Sequence, residues 1–298
     1  MRERNWQQYN KQLVQRGSLT FLIDPKTLKT LDKPSRSKGR GRPTQYSYNL
    51  IEFLVMVKVH FKLTYRALEG FAGSFLSKLM PNKKAPDYTL VCKRVLGVGK
   101  RLPTLAKGSS TTVILDASGM KVCGEGEWKV KVHGRGRARK WVKIHLAIDA
   151  DTQQIVAEIT TDSKVGDSKL TGRLLDQIPC SPKEVLADGA YDRKGSRQAI
   201  RDRKAKPLIP PPKNARYKNS EDERDRAILE IIGLGGDKEA RTLWGQLTGY
   251  SRRVLVETAF SCLKRLFGDR LFSKTFERQQ VENKVRCHLI NKMRTMIV

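Results

Sequence analysis

Residues 111–122, TTVILDASGMKV, decide how the chain is read. Thr111 to Leu115 form a β-branched, apolar run that ends at Asp116, so a buried strand is expected, with a turn after the acid. Working downstream, GEWKVKVHG (126–134) and ARKWVKIHLAID (138–149) alternate apolar with polar residues, the pattern of half-exposed antiparallel strands. QQIVAEITT (153–161) makes another strand, after a turn over Asp149 to Thr152. DSKLTGRLLDQI (167–178) is an amphipathic helix, EVLADGAYD (184–192) a strand then a loop, and KGSRQAIRDRK (194–204) a second helix. AKPLIPPP (205–212) is a short strand stopped by prolines, and the mixed residues 213–248 read as an insertion with one helix around EDERDRAILEIIG. A run of strands, then helix, strand, helix, strand, insertion and helix suggests a mixed central sheet flanked by helices.

Upstream the pattern is helical. SYNLIEFLVMVKVHFK has a wide apolar face with Ser47 as N-cap; Thr64 caps YRALEGFAGSFLSKL, and Asp87 caps YTLVCKRVLGVGKRL. Short helices joined by tight turns, the last bearing Lys93 and Arg94, fit a helix-turn-helix variant; a helical packing or dimerisation domain is the alternative. Residues 1–45 hold 11 basic and 3 acidic residues and read as a flexible arm. Within it Arg40-Gly41-Arg42-Pro43 has the form of a minor-groove AT-hook core, or of a plain solvated linker. The expected domains are therefore an arm over 1–45, a helical domain over 46–105 and an α/β domain over 110–298.

Charge narrows the partners. The chain has 298 residues, 59 of them Lys or Arg against 30 Asp or Glu, a net +29 that repels itself until a polyanion neutralises it. Nucleic acid is the polyanion that rewards each basic contact by releasing counterions. Five scattered cysteines without a CxxC pair argue against a disulfide framework and a zinc finger. Four dispersed histidines offer no ligand set. MRERNWQQYN lacks a signal-type apolar run, and LIEFLVMVKVHF is short and interrupted by charge, so a cytoplasmic protein is expected.

Three acids stand out: Asp116 at the end of the first strand, Asp188 before Gly189 at the end of EVLA, and Glu257. The last lies in TGYSRRVLVETAFSCLKRLFG (248–268), read as one amphipathic helix in which Glu257 is the only acid. At about 100° per residue Tyr250, Arg253, Glu257 and Lys264 fall within about 60° of one another. Three hard oxygen donors from separate elements suit Mg²⁺, which keeps several waters and serves in-line phosphodiester displacement. Arg253 and Lys264 would then neutralise phosphates, while Tyr250 bonds a phosphate or stacks on a base. Turn chemistry is the alternative for the aspartates, and an i−4 pair with Arg253 the alternative for Glu257.

At these residues the sequence resembles the bacterial insertion-sequence transposases with a DDE site, in particular the insertion-sequence-five family of the RNase H-like superfamily. Asp116 to Gly119 match its D-[S/A]-[S/T]-G context, and Asp188-Gly189-Ala190-Tyr191-Asp192 its DGxYD segment. Tyr250, Arg253, Glu257 and Lys264 match Y-x2-R-x3-E-x6-K at full spacing. GEGEWKVKVHGRGRARKWVKIHLAID is similar to the family's hairpin, and RALEGF through PDYTLVCKR to its helical DNA-binding region. The resemblance implies an RNase H-like α/β sheet preceded by a small all-α domain, with Asp116, Asp188 and Glu257 as catalytic metal ligands. It also implies Mg²⁺, replaceable by Mn²⁺, double-stranded DNA with terminal inverted repeats, and a homodimer or higher assembly. Trp244, in the insertion, is a candidate for stacking on a flipped base, with local packing as the alternative. A nuclease that cuts without joining, and a DNA-binding protein that has lost its chemistry, remain the competing functions.

Overall fold

The computed structural model describes residues 5–19, 22, 45–79, 84–105, 108, 110–122, 141–220 and 222–295. The RGRP element with Arg40 and Arg42 lies outside the described residues, as does the GEWKVKVHG strand. In chain order the elements are α1 (Trp6–Gln15), α2 (Tyr48–His60), α3 (Tyr65–Leu79), α4 (Tyr88–Arg101), β1 (Thr112–Val122), β2 (Trp141–Asp149), β3 (Ile155–Asp162), α5 (Thr171–Leu175), β4 (Glu184–Ala187), α6 (Lys194–Asp202) and β5 (Lys206–Leu208). They are followed by α7 (Glu223–Gly233), α8 (Lys238–Leu247), α9 (Val254–Phe267), β6 (Arg270–Leu271) and α10 (Phe276–Arg294). The chain divides into two compact units, Met1–Pro103 with Ser273–Val298, and Thr104–Phe272.

The helical unit starts from the expected caps. Ser47 accepts from Leu50 N–H, Thr64 from Ala67 N–H and Asp87 from Thr89 N–H, which satisfies donors that the first turn leaves free. The α/β domain was expected to run to residue 298, and here the structure differs. The last helix, α10, packs on α2 and α4 within the helical unit. Gly99 of α4 explains the close approach, since a Cβ there would meet Val281 Cγ2 at 2.3 Å. Lys284 of α10 donates to the carbonyls of Gly99 and Leu102 at 2.9 and 3.3 Å, placing a cation on the C-terminal end of α4.

In the second unit the sheet order is β3-β2-β1-β4-β5, with β6 also on β1. β1, β2 and β3 are antiparallel neighbours, whereas β4 and β6 pair parallel to β1, and β5 parallel to β4. This is the order and sense of an RNase H-like sheet. One face packs on Leu174, Leu175, Ile178 and Ile200 from α5, α6 and their flanks. β1 does not turn after Asp116 as expected. It continues to Val122, because Ala117 to Lys121 keep pairing with β2 down to Trp141. A second helix, α8, occupies the insertion where one was expected, started by Asp237, which accepts from Ala240 N–H.

Candidate active site

Register sets the positions of two acids. The parallel pairing of β1 with β4 ends at Leu115 opposite Ala187, so Asp116 and Asp188 are the next residues on adjacent strands. On the same edge of β1, pairing resumes only at Lys121 with β6. Asp116 thus opens the stretch between two short partners. Asp188 begins a 3-10 turn over Gly189–Tyr191 and accepts from Ala190 N–H at 3.0 Å, so it also performs the turn chemistry weighed for it.

The segment from Thr248 is not one helix. Gly249 takes φ 76°, a left-handed conformation that suits glycine, and a 3-10 turn over Tyr250–Arg253 precedes α9. Tyr250 and Arg253 therefore stand outside the regular helix, while Glu257 and Lys264, seven residues apart, share a face of α9. Arg253, Glu257 and Lys264 still meet the sheet or one another, whereas the Tyr250 ring lies against Trp244. Arg253 donates to Asp116 Oδ2 at 3.1 Å and to Glu257 Oε1 at 2.7 Å, bridging two of the three acids. Lys264 donates to Ser118 Oγ at 2.7 Å, two residues along β1 from Asp116. Side chains at i and i+2 share a strand face, so this is the face that meets Arg253 and α9.

Electrostatics follow from that crowding. Burial raises the pKa of Asp116, opposed by the Ala117 N–H and Arg253 and reinforced by the charges of Asp188 and Glu257. Burial pushes the Tyr250 phenol up to about 12. Tyr191, also buried, is raised by burial and then by Asp167, Asp116 and Asp188, and its hydroxyl has no hydrogen-bond partner among the described residues.

The donor set fits a hard divalent cation in kind, since it is all carboxylate oxygen and its mutual repulsion is felt at Asp116. Among the described residues, however, no group of three or more His, Cys, Asp or Glu side chains stands together as a metal cluster. The Arg253 guanidinium lies between Asp116 and Glu257 and supplies positive charge there.

Other expected contacts fall elsewhere. Trp244 is 3% exposed, donates from Nε1 to Glu230 Oε2 at 2.7 Å and stacks obliquely on Tyr250, so its ring is packed within the domain and is not presented to a base. Lys93 is exposed on α4, but Arg94 donates to the Tyr46 carbonyl at 3.2 Å and is partly committed to the fold. Sequence reasoning gave no role to Asp192 or Ser118, although both lie inside quoted motifs. It also missed Arg197 and Arg224, which bond Asp192 and which no spacing marks.

A mixed sheet of this order, with acids at the end of its central parallel pair and a third on α9 beyond the insertion, defines an RNase H-like α/β domain with an acidic site. The family described as "Transposase DDE domain" matches residues 107–292, more than half of the chain, and a second family of the same description matches residues 14–125. The chain belongs to the DDE transposases, enzymes that work with divalent metal ions. Among solved structures, the cryo-EM structure of a piggyBac transposase synaptic complex with hairpin DNA is similar at 11% identity, covering 94% of this chain and 75% of that one, with a TM-score of 0.43. Among the described residues, no helix is long and apolar enough to cross a membrane.

Proposed function

We propose that this transposase binds the terminal inverted repeats of an insertion sequence of the insertion-sequence-five type, cleaves the ends and joins them to target DNA. Cleavage exposes a 3′-OH, and strand transfer directs that hydroxyl at a target phosphodiester by in-line displacement. The observation that carries the reading is the register placing Asp116 and Asp188 side by side, with Glu257 tied to Asp116 through Arg253.

Asp116, Asp188 and Glu257 would hold Mg²⁺, or Mn²⁺ in its place, which when bound activates the attacking oxygen and stabilises the departing one. The chain's own residues do the rest. β1 and β4 fix the two aspartates on a rigid sheet, and α9 supplies the glutamate. Arg253 and Lys264 meet the phosphates that approach the acids, and the Tyr250 phenol, kept protonated, donates a hydrogen bond to one. The helical unit reads the ends through α4, where Lys93 is the better placed of the two candidate cations, and Arg40 and Arg42 follow the minor groove. Two ends require two copies on one DNA assembly.

The test is a cleavage and strand-transfer assay on DNA carrying the element's own ends, with Mg²⁺ or Mn²⁺ against EDTA, beside Asp188→Asn. Metal-dependent nicking and joining, lost in the variant, is the expected result. Nicking without joining would make the protein a nuclease, and tight binding without cleavage a DNA-binding relic.

A further inference from the structure

Residues 213–248 hold seven basic and seven acidic residues, so a chain of net charge +29 carries its whole excess outside this segment. α7 and α8 both lie within it. Their packed sides are occupied: α7 buries Ala227, Ile228 and Ile231, and α8 buries Ala240 and Trp244. Yet Leu229 is 48% exposed, Ile232 59%, Leu243 43% and Leu247 69%. The first two are three residues apart and the last two four apart, so each helix shows solvent an apolar stripe beside its buried one. Single exposed leucines are ordinary, but four on two adjacent helices form the kind of surface that associates.

DNA does not suit this surface. Neutral aliphatic groups release no counterions, and the chain has basic surface in excess elsewhere. We infer that the α7–α8 face docks a second copy of this chain. A two-fold contact sets one patch against itself, so any strongly basic surface would meet its own charge. The charge-balanced segment escapes that repulsion. Exposed Arg226, Lys238 and Glu239 lie on the same two helices, so opposite signs are available for pairing across the two-fold axis. The inference rests on the proposed function only for the reason two copies must meet.

The experiment is sedimentation velocity of the full chain at high salt, alone and with duplexes carrying the element's ends, beside the double variant Ile232→Glu/Leu247→Glu. These two side chains are the most exposed of the four, so the variant should keep its circular dichroism spectrum and melting temperature. If it does not, Ile232→Ser/Leu247→Ser takes its place. The expected result is a wild-type dimer and a variant whose self-association is at least tenfold weaker, with unchanged affinity for a single end. A wild type that remains monomeric in both conditions, or a variant that dimerises like the wild type, overturns the proposal. So does a variant that loses single-end affinity without any change in self-association, because the face would then be a DNA contact. None of these readouts needs cleavage, so an inactive but dimeric protein would refute the catalytic reading and leave this one standing.

Discussion

Arg224 of α7 donates from Nε to Asp192 Oδ2 at 3.0 Å, while Arg197 of α6 holds the other oxygen, Oδ1, at 2.8 Å. Asp192 is buried four residues beyond Asp188, so the insertion is fastened to the loop that carries Asp188. Arg224→Ala should lower stability by about 1.5–3 kcal/mol, the range for a hydrogen bond to a charged group, with Arg197 left to hold Asp192. Arg224→Lys should recover part of that loss. Urea denaturation of both variants checks it, and equal midpoints for wild type and Arg224→Ala would refute the fastening.

Arg253 supplies the positive charge between Asp116 and Glu257. A cation seeking those oxygens must displace it, so Arg253→Ala should bind Mn²⁺ several-fold more tightly than wild type without DNA. Calorimetry or the free-Mn²⁺ electron paramagnetic resonance signal reads this directly, with Asp188→Asn as the control that weakens binding. Weaker Mn²⁺ binding by Arg253→Ala would mean that the arginine supports the site and does not compete for it.

His145 is fully buried, with Nε2 at 2.8 Å from Thr161 Oγ1 and Nδ1 at 3.7 Å from Asp167, which also accepts from Lys143. Burial brings its pKa down from 6.5 to about 4, with Asp167 opposing and Lys143 assisting. The unfolded chain takes up the proton near pH 6.5 and the folded one only near pH 4, so acid favours unfolding. This contribution is complete above pH 6.5 and declines by about 3 kcal/mol as the pH falls to 4. Denaturation midpoints across that window should fall for wild type and stay flatter for His145→Gln.

Trp244→Leu removes a buried indole and its bond to Glu230. The cost should stay below the about 3–5 kcal/mol of a Trp-to-Ala truncation, since leucine refills part of the space. Cleavage per folded molecule should be unchanged. A cleavage defect at unaltered stability would return this ring to the DNA.

The sequence revealed the sheet because its cues are local. The β-branched run before Asp116, the alternation in WVKIHLAID and the caps Ser47, Thr64 and Asp87 act within a few residues. What stayed hidden depends on distance along the chain. Arg253 finds Asp116 across 137 positions, and a wheel drawn over residues 248–268 ignored the break that Gly249 imposes. α10 has almost no one-sided apolar pattern because its surface is enclosed on several sides, so nothing in its own residues names the helices it joins. Asp192 resembled a loop aspartate until two arginines from separate helices closed on it.

The allegiance of α10 to the helical unit has a consequence for synthesis. At about 5–20 residues per second, the ribosome needs roughly 9–35 s to pass from Arg101 to Phe276. The strands and acids emerge in that interval and can assemble, while the faces of α2 and α4 that receive α10, with Val281 against Gly99, wait for their last partner. A message truncated near codon 272 would therefore yield a finished sheet attached to an open, sticky helical bundle, fit for a protease or a chaperone before it ever met DNA.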